Sequence, residues 1–255
     1  MDREGIRGWI TPAPATSWFR SSGALEGYNE DFALIGASLI ACAVVDLMMR
    51  AIVVRSARYA ALHVLANAAV CAFAAIDVVH VVLGDPAIVF WGSTSSMVPT
   101  SVAAALHLYH IAAFDLTAAE VIEDLVFALL PCIVAIPLKN IIGCATNFGT
   151  FFLTGLPGMI NYLLQVLRAH DRVAAATEQK WIALINLSVR GPSQVLYLLV
   201  AYTSWFNPAA AHRPRFPLWF YVPTIGAAIL HFVNGQYYAR LAVEANQIHR
   251  MQVKP

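Results

Sequence analysis

The chain has 255 residues, of which 59% are hydrophobic and 12% charged, and its mean hydropathy is +0.65. Soluble domains carry about 25% charged residues, so half that level marks a membrane protein. The net charge of +1 excludes the basic surface that nucleic-acid binding requires, and no nucleic-acid partner is expected.

The first thirty residues carry scattered charges and no continuous apolar run, so a cleavable leader is not expected. Trp9, Trp18 and Phe19 with Arg20 suit either a membrane interface or a loosely ordered tail. A helix needs roughly 20 mostly apolar residues to cross a bilayer. Seven stretches come close: 32–54, 60–83, 96–114, 120–138, 141–167, 181–206 and 218–241. Turn chemistry marks Gly84-Asp85-Pro86 and Asn207-Pro208 with Pro214 and Pro217. Backbone groups in hydrocarbon must pair internally, so the expected fold is all-α, a polytopic helical bundle of about seven transmembrane helices. Residues 1–31 then form an N-terminal tail, 32–242 the transmembrane domain and 243–255 a cytosolic C-terminal tail. Cys42, Cys71, Cys132 and Cys144 stand alone without CxxC spacing, which favours small core residues over disulfides or zinc.

Loop charge sets orientation. Arg50, Arg55, Arg58, Arg168, Arg172, Lys180, Arg240, Arg250 and Lys254 fall on one side. Arg3, Arg7, Arg20, Lys139, Arg213 and Arg215 fall on the other. The first set is the larger, which places the C-terminus in the cytosol.

Ionisable groups concentrate in the middle. His107 and His110 are spaced i, i+3 and share a helix face. Two such histidines suit proton transfer or metal binding, or a bland hydrogen-bonded helix end. No further ligands follow at fixed spacing, so no metal is expected. Thr117 stands three before Glu120, a capping-box pattern, while Glu123 and Asp124 extend the acidic face into the helix. Asp46 and Arg50 form an i, i+4 pair. Asp77 and His80 share a face, as do His231 and Asn234. Arg190 lies inside an apolar stretch and must turn inward to a partner, with Glu123, Asp124 and Asp77 as candidate carboxylates. Thr154-Gly155-Leu156-Pro157-Gly158 should break or kink its helix, and Pro192 should kink the next.

From about Tyr59 to Leu241 the chain resembles the TLC family, named for translocating-chain and longevity-assurance proteins. The resemblance rests on the basic turn Arg55–Arg58 before His63, and on Tyr109-His110 before the helix that Glu120 opens. It rests also on Pro157 followed by Asn161, and on Asn234 and Arg240 in the last helix. Where the family has paired histidines this chain has Glu123 and Asp124, and the family's acid before the Pro and Asn is replaced by Thr154 or Gly155. The resemblance implies a six-helix core plus one N-terminal helix, in the endoplasmic reticulum or plasma membrane. It implies membrane lipids as partners, with a homo-oligomer as a further possibility, and a lipid-binding or lipid-regulating role without the family's acyltransferase chemistry. The alternative is a ceramide-synthase-like acyltransferase working through His107, His110, Glu123 and Asp124, and acyl-CoA enters only there; otherwise no cofactor is expected. A second alternative is a small-solute or proton-coupled transporter. The expected ligand cavity is lined by Asn147, Pro157, Asn161, Arg190, Asp77 and His80.

Overall fold

A computed structural model describes residues 28–84, 96–206 and 218–253. The N-terminal tail apart from its last residues, and the turns at Asp85-Pro86 and from Asn207 to Pro217, lie outside them. The described chain is helical: α1 (Tyr28–Met49), α2 (Arg58–Leu83), α3 (Val98–Ala113), α4 (Ala118–Glu123), α5 (Leu130–Thr150), α6 (Leu156–Ala169), α7 (Ala175–Ile185), α8 (Gly191–Phe206) and α9 (Leu218–Val253). Because α9 runs to Val253, no helix end marks the expected start of the C-terminal tail.

The molecule is inverted relative to a soluble protein. Ile40, Leu47, Ile76, Val79, Leu187 and Leu199 are more than half exposed, whereas Asp46, Asp77, His110, Asn147, Asn186, Arg190 and Gln194 are buried. Apolar surface on that scale needs an apolar solvent. Among the described residues, four helical stretches are long and apolar enough to cross a membrane: Asn29–Met49, Arg55–Leu83, Cys144–Ala169 and Ala175–Thr203. This supports an integral, multi-pass membrane protein but not the seven spans expected. The third expected segment shortens to α3, which Pro99 opens and Phe114 ends after 16 residues. At 1.5 Å per residue that is roughly 24 Å, short of the roughly 30 Å hydrocarbon core.

Three π-helical turns interrupt the long helices, at Asp124–Leu129, Phe151–Gly155 and Asn186–Arg190. Each is followed two residues later by a proline: Pro131, Pro157 and Pro192. Proline has no N–H, and its ring collides with the carbonyl four residues back. Widening the preceding turn to i→i+5 bonding moves that carbonyl aside. In each case the residue before the proline makes such a bond: Leu130 N–H to Leu125 O, Leu156 N–H to Phe151 O, and Gly191 N–H to Asn186 O. Pro137 and Pro223 lie within α5 and α9 without a π turn, so proline alone does not dictate one. The break expected at Thr154 to Gly158 is thus a widened turn in continuous helix.

Helix continues from Ala118 to Ala169, roughly 78 Å if straight. Its ends nevertheless meet: Asp124 and Tyr162 line one cavity. Its middle reaches the opposite end of α1 and α2, where Lys139 pairs with Asp31 at 2.6 Å and Asn147 with Asp77 at 2.6 Å. The run is therefore not straight: it doubles back somewhere between Asp124 and Tyr162.

Close packing of α8 on α9 depends on Gly235. A Cβ there would lie 2.4 Å from Cγ and 3.0 Å from Cβ of Gln194, a fully buried residue. Gly235→Ala is expected to destabilise by about 1–3 kcal/mol, as overpacking does. A thermal melt in detergent measures it, and an unchanged melting temperature would contradict this packing.

Candidate functional site

A cavity of about 770 Å³ lies between α2, α3, the two limbs of the doubled run, α7 with its following π turn, and α9. All three π turns border it, through Asp124, Phe127 and Ala128, through Leu153 and Thr154, and through Asn186 and Arg190. Its apolar wall includes Leu106, Phe127, Leu153, Ile182 and Leu241. It extends to the basic end of the bundle, reaching Ser56 and Arg168. Arg168 there bonds the buried Glu178 at 2.9 Å.

Arg190 turns inward as expected, only 7% exposed. Its partners differ from the expectation, because no carboxylate lies within ion-pair distance of it among the described residues. Nε donates to the Leu153 carbonyl at 2.9 Å and Nη1 to Asn186 Oδ1 at 2.6 Å. The reason is local. In an α-helix the Leu153 carbonyl would pair with the N–H of residue 157, which is proline and has none. Arg190 fills that vacancy, and Asn186, one turn before it, supplies the second acceptor. The guanidinium also stands 5.2 Å from the centre of the Tyr238 ring, a cation–π arrangement. The Tyr238 hydroxyl donates to Glu123 Oε1. Asn67 and Arg190 converge over Gly158, where a Cβ would lie 2.7 Å from Asn67 Nδ2 and 3.8 Å from Arg190 Nη2.

On the facing wall His107 Nδ1 lies 2.7 Å from Asp124 Oδ1. A carboxylate only accepts, so Nδ1–H donates and Nε2 keeps its lone pair when the ring is neutral. His110 sits behind, 0% exposed, its ring 4.2 Å from His63 and 5.6 Å from His107. His63 Nδ1 donates to the Tyr59 carbonyl at 2.9 Å, and the His63 ring stacks on Tyr162 at 3.9 Å. Several buried polar atoms have no partner among the described residues: both ring nitrogens of His110, and Oδ1 of Asn161 and of Asn234. The two asparagines line the cavity.

The structure therefore brings His107, Glu123, Asp124, Asn161 and Arg190 together, with His110 immediately behind and Pro157 shaping the turn below. It does not bring Asp77, His80 or Asn147 to the cavity. Asp77 lies 14 residues beyond His63, roughly 21 Å along α2. It accepts from Asn147 Nδ2 and from Cys144 Sγ at 3.4 Å, while His80 is exposed. Sequence spacing fixes the face of a helix and not the depth along it. Asn67, Tyr162, Asn186 and Tyr238 were missed. Asn186 carried a signal, standing i−4 from an arginine in an apolar stretch.

Two other expectations resolve at the helix ends. The capping box forms: Thr117 N–H and hydroxyl both reach Glu120 Oε2 at 2.7 Å, and Glu120 N–H reaches Thr117 Oγ1 at 3.3 Å. Those bonds, the Thr117 N–H first, hold the exposed Glu120 carboxyl below its ordinary range. Their contribution is present above that range and lost as pH falls through it. Asp46 does reach Arg50, at 3.4 Å, but its main partner is Arg58, which closes on both carboxylate oxygens at 2.8 and 2.7 Å. Tyr109 adds a hydroxyl at 3.0 Å. The predicted pair within α1 is thus a tie between α1, α2 and α3.

Comparison with protein-family models, curated proteins and solved structures finds no match to this chain.

Proposed function

We propose that this chain is a TLC-like membrane protein that binds a lipid in the cavity and influences membrane lipid composition through that binding. Arg190 carries the reading. A buried cation is costly without a counter-ion, and this one has carbonyl and amide acceptors but no carboxylate among the described residues. A ligand with an anionic oxygen supplies the missing charge. The unpartnered Oδ1 atoms of Asn161 and Asn234 call for O–H or N–H donors on the same ligand. The apolar wall suits an acyl chain, and a mainly apolar pocket with a few convergent polar groups is the usual form of a ligand site. In this reading the basic end of the bundle faces the cytosol.

Mass spectrometry of lipids retained by the detergent-purified chain tests the proposal. One class with an anionic head group, enriched over its share in the source membrane, is the expected result. Retained lipid that mirrors the bulk membrane contradicts it.

The His107–Asp124 pair favours a second reading, acyl transfer with His107 as the base and Asp124 orienting it. Turnover of acyl-CoA by the purified chain, abolished in His107→Gln, would select that reading over binding alone.

A further inference from the structure

The cluster of His107, His110 and Asp124 beside the cavity has a property that lipid binding does not use. His107, His110 and Asp124 each offer a ligand atom, and the three atoms lie within 4.8 Å of one another. His107 and His110 share one face of α3, and Asp124 is the first residue of the π turn that faces them. We propose that these three side chains form a binding site for a divalent first-row transition ion of the zinc class, with its remaining coordination position open to the cavity.

Three observations support the site independently of Arg190 and of any lipid. The first is His110. Both its ring nitrogens lack partners at 0% exposure, although a neutral imidazole has one donor and one acceptor to satisfy. A metal takes the acceptor nitrogen. The second is the ligand set, two imidazoles and a carboxylate, which suits zinc and its neighbours better than calcium or magnesium. The third is charge. Asp124 supplies one carboxylate to the doubly charged ion, and Glu123, which accepts from the Tyr238 hydroxyl, lines the same cavity as a second.

The geometry requires little movement. Metal–ligand bonds of about 2.0–2.1 Å in a tetrahedron place ligand atoms about 3.3 Å apart. If His107 binds through Nδ1, its proton leaves that nitrogen for Nε2, the present contact of 2.7 Å to Asp124 opens slightly, and the third atom draws in. The arrangement leaves one position for water or a ligand oxygen, as in sites with three protein ligands. The other cluster of this kind, Asp77, His80 and Cys144, is less suited, since Asp77 already accepts from Asn147 and Cys144.

The test uses the full chain, purified in detergent, stripped with chelator and titrated with Co²⁺ and then Zn²⁺. One Co²⁺ per chain is expected, with the visible absorption of a low-coordinate site, displaced by Zn²⁺. His107→Gln, His110→Gln and Asp124→Asn should each weaken binding at least tenfold, while His231→Gln, another buried histidine, should leave it unchanged. X-ray absorption of the zinc-loaded wild type provides a readout that needs no variant. A shell of nitrogen and oxygen with imidazole scattering supports the site; sulfur in the shell assigns the ion to Cys144 and overturns it. Absence of saturable binding, or equal binding by all variants, also overturns it. Loss of the metal site would leave the lipid proposal standing.

Discussion

Arg190→Gln should leave the delipidated protein as stable as the wild type or more so, and should remove most of its stabilisation by anionic lipid. The sign is diagnostic. Had Arg190 paired with a carboxylate, removing it would strand a buried charge and cost about 3–5 kcal/mol. With no carboxylate beside it, the substitution removes an uncompensated cation and gives up hydrogen bonds to Leu153 O and Asn186 Oδ1. A ligand at about 100 times its Kd stabilises the wild type by about 2.7 kcal/mol. In the variant that increment should largely vanish for lipids with an anionic head group and be unchanged for neutral ones. Thermal melts with and without added lipid measure both effects. A strong loss of stability in the delipidated variant would show that Arg190 is a structural ion-pair partner.

Asp46→Ala should be the most damaging single change outside the cavity, destabilising by about 3–5 kcal/mol. Asp46 is 1% exposed and gathers Arg58 from α2, Tyr109 from α3 and Arg50 from the turn after α1. Removing it leaves Arg58, itself largely covered, without its anion. Arg50→Ala should cost at most about 1 kcal/mol, because that arginine is 59% exposed and its contact is long. Denaturation in detergent compares the two. Equal effects would restore the local pair within α1 as the main interaction, and a silent Asp46→Ala would contradict the three-helix tie.

Hydropathy made the membrane class and helical architecture legible, because lipid forces one backbone solution on every crossing segment. It overstated the spans, since it does not report where Pro99 and Phe114 cut α3 short. The inward turn of Arg190 was legible from cost alone. Its partner was not, because the Leu153 carbonyl becomes available only through Pro157 on another helix. The prolines themselves were visible, and Pro157 and Pro192 were read as kinks. What hydropathy does not show is that Pro131, Pro157 and Pro192 each follow a π turn bordering the same cavity. Asp77, His80 and Asn147 were misplaced because periodicity fixes the face of a helix and not the depth along it. The pairing of His107 with Asp124 spans a turn and two helices, which spacing does not encode.

The most direct test of lipid binding is photo-crosslinking with a lipid that bears a diazirine in its acyl chain and an anionic head group, followed by peptide mapping. Adducts concentrated at cavity-facing residues such as Phe127, Leu153 and Leu241, and lost with excess unlabelled lipid, are expected. Adducts confined to outward-facing residues such as Leu47, Leu187 and Leu199, unaffected by competitor, would contradict a lipid-binding cavity.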